Sequence, residues 1–62
     1  MKTYYFKTIC TKGIAHTCQC FALNVKDAQL QAAEIFGAYY PGHGFINYMR
    51  KNDYFDFHKL KK

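Results

Sequence analysis

The amino-acid sequence predicts an α+β domain in which a single helix packs on a mostly antiparallel sheet, with its elements in ββαββ order. Three observations carry this expectation. Two runs of aromatic, β-branched and Cys residues flank Thr11-Lys12-Gly13, a helical stripe lies between Asn24 and Pro41, and a closing aromatic stretch is interrupted by Asn52-Asp53.

The first hairpin spans Thr3 to Cys10 and Ile14 to Leu23, and Gly13 supplies the left-handed position of a short loop. This pairs Cys10 with Ile14. Alternation along the strands then groups Tyr4, Phe6, Thr8 and Cys10 with Ile14, His16, Cys18, Cys20 and Ala22 on the face beneath the helix. The other face carries Thr3, Tyr5, Lys7, Ile9, Ala15, Thr17, Gln19 and Phe21, a mixture suited to water or a partner.

Asn24 reads as the N-cap of the helix, with Asp27 favouring the positive end of its dipole. Val25, Ala28, Ala32, Ile35, Phe36 and Tyr39 share one side of a 3.6-residue wheel, whereas Lys26, Asp27, Gln31 and Glu34 fall on the other. Gly37 is unfavourable inside a helix and Pro41 disfavours helical geometry at Tyr40, so the helix ends between Gly37 and Tyr40. After the loop Pro41-Gly42-His43-Gly44, strands over Phe45–Lys51 and Tyr54–Leu60 form a second hairpin around Asn52-Asp53. Ile46, Tyr48, Phe55 and Phe57 are assigned inward, and Phe45, Met49 and Tyr54 to the other face.

No internal repeat, low-complexity tract or linker divides residues 1–62, which read as one domain. At this size only about 60% of the unfolded chain's surface can be buried, so the core is thin. Three cysteines cannot all pair within one chain and the opening residues lack the apolar core of a secretion signal, which places the protein in a reducing cytosol. No apolar run approaches the roughly 20 residues of a bilayer span, so no membrane partner is expected.

Nine Lys and Arg against four Asp and Glu give a net charge of +5. Arg50, Lys51, Lys59, Lys61 and Lys62 are concentrated near the end of the sequence, which suggests an acidic protein surface or a polyanion as partner. Six Tyr and six Phe make 19% of the chain, more rings than one helix over one sheet can hide. Tyr5, Phe21, Phe45, Tyr54 and Tyr40 therefore reach an uncovered face or its rim, interleaved with Lys7, Lys51 and His58. A homodimer that buries this face, or that pairs an edge strand across a two-fold axis, is a competing use of the same surface.

His16, Cys18 and Cys20 could ligate a metal, but residues two apart on a strand are separated by about 6.5 Å, whereas zinc gathers thiolates at about 2.3 Å, usually from turns. Buried core thiols fit the pattern better. No P-loop, dinucleotide fingerprint or paired carboxylates appear, and nothing fixes a nucleophile, base and orienting group. The expectation is a protein without enzymatic activity, catalytic residues, metal or cofactor.

Two resemblances bear on function. Gly42, Gly44, Phe45, Ile46 and Tyr48 resemble the RNP1 octamer of RNA-recognition domains, in which alternate aromatics stack bases. Pro41 and His43 depart from that octamer, and the chain lacks the second helix and length of its βαββαβ fold. As a stacking platform, this resemblance would employ Phe45, Tyr54 and Tyr5. The opening Met1-Lys2, the long hairpin, the Ala22-x-Asn24-x-x-x-Ala28 lead into a helix and the closing aromatic segment resemble small phage-encoded proteins, including sheet-plus-helix anti-CRISPR proteins. That resemblance implies a compact inhibitor of a bacterial defence complex.

The preferred expectation is a non-enzymatic binding protein that engages a host protein or ribonucleoprotein through Tyr5, Lys7, Tyr40, Arg50, Lys51, Tyr54, Lys59 and Lys61. Direct RNA or DNA binding is the alternative, and a self-associating structural module the third reading.

Overall fold

The computed structural model describes residues 1–60, with the backbone alone at residue 60. The elements run β1 (Lys2–Ile9), β2 (Ala15–Ala22), α1 (Val25–Tyr39), β3 (Asn47–Met49) and α2 (Lys51–Leu60). The strands form one antiparallel sheet in the order β2-β1-β3.

The hairpin has the register its turn chemistry dictates. The Cys10 N–H donates to Ile14 O at 3.0 Å and the Gly13 N–H to Cys10 O at 2.9 Å, with Gly13 in the left-handed region at φ 80°. From there Ile9 pairs with Ala15, Phe6 with Cys18 and Lys2 with Ala22. Phe6, Cys18, Cys20 and Ala22 thus lie on one face, where they form the core with Ala28, Ala32 and Phe36 of α1. The two alanines have no bulk to hold α1 off the sheet, and Phe6 and Phe36 fill the contact; full burial of each ring contributes about 1.5–3 kcal/mol.

The helix begins where its cap directs, with Asn24 Oδ1 accepting the Asp27 N–H at 2.9 Å. Its last turn closes through the Tyr40 N–H to Phe36 O at 2.7 Å, immediately before Pro41. Gly42, at φ 82°, then turns the chain back against β1, where the Gly44 N–H donates to Ile9 O at 2.9 Å. Thr8, fully buried on β1, anchors this return. Its hydroxyl donates to Phe45 O at 3.0 Å and Gly44 O at 3.1 Å, and Gly44 O also accepts the Nδ1 proton of His43 at 2.7 Å.

Residues 45–60 correct the sequence reading. The α+β class holds, but the described residues form two helices and three strands, and the last two of these elements are a short strand followed by a helix. Only Asn47–Met49 pairs with β1, and the Tyr54 N–H to Arg50 O bond of 3.0 Å opens α2. Asn52-Asp53 makes no tight turn, because both residues lie within α2 and neither takes the positive φ expected of it. Instead Asp53 lies in the first turn of α2, with His58 and Lys59 in the last, the charge order a helix dipole favours. Phe55 and Phe57, assigned to a strand face with Ile46 and Tyr48, are accordingly on α2, while Ile46 and Tyr48 do keep the α1 side, where Tyr48 meets Phe6 edge-on at 5.9 Å.

The second helix covers part of the sheet face opposite α1. Tyr5 packs its ring 4.4 Å from that of Tyr54 and 6.1 Å from that of Phe55, and Thr17 Oγ1 lies 2.8 Å from His58 Nε2. The face expected to be open is therefore closed at its centre.

Candidate interaction surface

The sequence-derived site residues separate into three groups. Tyr5 is only 7% exposed beneath Tyr54, which corrects its assignment to an open face. Tyr54 is half-buried, and Lys7 is half-buried between Thr17 and Asn47 in the central strand. Tyr40 is half-buried at the end of α1, stacked on His16 with ring centroids 3.7 Å apart and planes 13° from parallel. The rings of Tyr5, Tyr54 and Tyr40 thus pack within the fold more than they offer contact area.

Arg50, Lys51 and Lys59 are exposed and all belong to α2 or its first flank. Lys61 lies outside the described residues. Because residues four apart share a side of a helix, Lys51, Phe55 and Lys59 form one stripe, with Phe55 52% exposed between two cations. Phe55 is the residue the sequence reading missed. Its signal was the spacing of Lys51, Phe55 and Lys59, which makes these side chains neighbours only on a helix.

Arg50 and Lys51 also stand at the positive end of the α2 dipole, where a cation costs about 0.3–1 kcal/mol. An acidic partner would remove that cost. Phe45 stands apart, 92% exposed in the loop before β3. Hence the stacking residues Phe45, Tyr54 and Tyr5 do not form one platform, and β3 is an edge strand rather than the centre of an open sheet.

The cysteines divide by environment. Cys18 and Cys20 are buried in the core with their Sγ atoms 3.8 Å apart. Burial, followed by the neighbouring Cys20, pushes the Cys18 thiol up to about 12. Cys10 instead sits half-exposed at the hairpin turn, a correction to the expectation of core thiols throughout. There the backbone amide of Ile14 lowers its pKa, partly opposed by desolvation and reinforced by the backbone and charge of Lys12. A cavity of about 330 Å³ opens beside it, walled by Ile14, His16, Tyr39, Tyr40 and Pro41. Among the described residues, no three His, Cys, Asp or Glu side chains are grouped to hold a metal ion. No helix among them is long and apolar enough to cross a membrane.

Comparison with protein-family models, curated proteins and solved structures finds no match to this chain.

Proposed function

We propose that this chain is a non-enzymatic binding protein whose working surface is the basic, aromatic side of α2, and that its partner is an acidic protein or ribonucleoprotein surface. The observation that carries the reading is the Lys51–Phe55–Lys59 stripe with Arg50 beside it, in a chain of net charge +5. An exposed aromatic set between cations combines apolar contact with long-range attraction, the pairing that anchors an interface and speeds encounter. Resemblance to small phage-encoded inhibitors fits a bacterial defence complex as the partner and the host cytosol as the place of action.

Capture from bacterial lysate, with and without nuclease, tests the reading. The wild-type chain is expected to retain a defined protein complex that survives nuclease, and Lys51→Glu/Lys59→Glu to lose it by about tenfold or more while keeping the wild-type circular dichroism spectrum. Equal retention by the variant would remove α2 from the interface.

The exposure of Phe45 supports a second reading, in which its ring stacks on a base while the α2 cations meet phosphates. In that case nuclease would release the captured material, and log affinity would fall steeply and linearly with log salt.

A further inference from the structure

The two edges of the sheet are built differently. The β3 edge is 3 residues long, whereas β2 runs 8 residues in unbroken register with β1 and forms the opposite edge. Exposed edges are normally blunted by charge, Pro, a bulge or shortness. Ala15-His16-Thr17-Cys18-Gln19-Cys20-Phe21-Ala22 has none of these, with no Lys, Arg, Asp, Glu or Pro along its length.

The hydrogen-bond phase shows which groups remain on offer. Because the Cys10 N–H bonds Ile14 O, the alternation of an antiparallel ladder turns the backbone groups of His16, Cys18 and Cys20 toward β1 and those of Ala15, Thr17, Gln19 and Phe21 outward. The outward Phe21 carbonyl is taken by Gln31 Nε2 at 2.8 Å. Among the described residues, no hydrogen bond reaches the outward N–H and C=O groups of Ala15, Thr17 and Gln19.

We propose that β2 pairs antiparallel with β2 of a second copy of this chain, about a two-fold axis through Thr17. In this register Thr17 faces Thr17, and Ala15 of each copy faces Gln19 of the other, so the outward groups satisfy one another in about six N–H···O=C bonds. The three outward residues are symmetric about Thr17, which is the condition an isologous contact imposes. Charge selects the same occupant. Each copy carries +5, so two copies approach with least repulsion along a strand that bears no charge, and Arg50 and Lys51 lie at the other end of α2 from His58, which meets Thr17 on the axis. Phe21, 57% exposed on the same strand, falls beside Gly13 and Ala15 of the other copy and adds apolar cover. The result is one antiparallel sheet twice as wide.

Sedimentation across micromolar to millimolar concentration, with amide exchange at each end of the range, tests the proposal. The mass is expected to rise from monomer to dimer, and the Ala15, Thr17 and Gln19 amides to gain protection together. Thr17→Lys and Thr17→Glu each set like charges against one another on the axis and are expected to raise the dimer Kd by about tenfold. An equimolar mixture of the two should restore dimerisation, since Lys then meets Glu. Both variants lose the Thr17 hydroxyl and its contact with His58, so the circular dichroism spectrum of each is checked before the mixture is read. A monomeric mass at millimolar concentration, unchanged exchange at these amides, or a mixture no better paired than either variant would overturn the proposal. If both variants fail to fold, the exchange of the wild-type chain decides the question alone, and capture of an extended segment of another protein by a monomeric chain counts against the second copy.

Discussion

Replacing Thr8 with Val removes one oxygen and tests how the segment leading into β3 is held. The hydroxyl of this fully buried residue donates to Phe45 O at 3.0 Å and lies 3.3 Å from His43 Nδ1. Valine nearly matches its shape, so the loss is chemical: one hydrogen bond worth about 0.5–1.5 kcal/mol, plus the cost of leaving the Phe45 carbonyl without that donor. Gly44 O keeps the His43 proton at 2.7 Å and contributes little to the change. The total is about 1–2 kcal/mol, a large share of the roughly 3–9 kcal/mol expected for a chain of this size. At about 4–8 °C per kcal/mol, the melting temperature should drop by about 4–16 °C. Urea denaturation gives the energy, and amide exchange gives the location. Faster exchange is expected at Gly44, whose N–H bonds Ile9 O, and in β3, while the β1–β2 hairpin stays protected until global unfolding. Unchanged stability together with unchanged exchange at Gly44 would refute the assignment of Thr8 as the anchor of this loop.

The remaining predictions concern backbone and thiol chemistry. Gly37 lies inside α1, and a Cβ added there would meet no atom within 4 Å, so Gly37→Ala should stabilise the fold by about 0.5–1 kcal/mol in the same urea assay. Gly42→Ala should destabilise it by about 1 kcal/mol or more, because φ is +82° and the added Cβ would stand 3.0 Å from Thr11 Cγ2; a neutral result would mean that this turn relaxes freely. Brief iodoacetamide treatment of the native chain should label Cys10 and spare Cys18 and Cys20, as read by peptide mass spectrometry. Because the folded Cys18 thiol holds its proton to about 12 while the unfolded one loses it near 9.0, the folded state binds more protons between these values. Stability should therefore fall as pH rises through that window, and Cys18→Ala should flatten the slope.

The first half of the chain was legible because local and global signals agree there. Gly13 demanded the left-handed turn position, the strand alternation divided Phe6 from Tyr5, and Asn24 and Pro41 bracketed α1. Residues 51–60 carry both periods at once. Phe55 and Phe57 alternate as in a strand, yet Tyr54, Phe57 and His58 recur at the i, i+3, i+4 spacing of a helix. What decides between them is distant in sequence, since Tyr5 offers a ring for Tyr54 and Thr17 a hydroxyl for His58. The surplus of aromatic rings was read as exposed surface, and part of it proved to be the second core layer between β1 and α2. The cations of the candidate surface were visible in composition alone. Their alignment with Phe55 was not, because the expected hairpin put Lys51 on one strand and Phe55 and Lys59 on the other, whereas one helix makes all three neighbours.

The most direct test of the binding surface is hydrogen–deuterium exchange of the chain within the complex it retains from bacterial lysate, compared with the free chain. An interface on α2 predicts new protection concentrated over Arg50–Lys59, with the buried hairpin unchanged. Protection that spares this segment and falls elsewhere would contradict it.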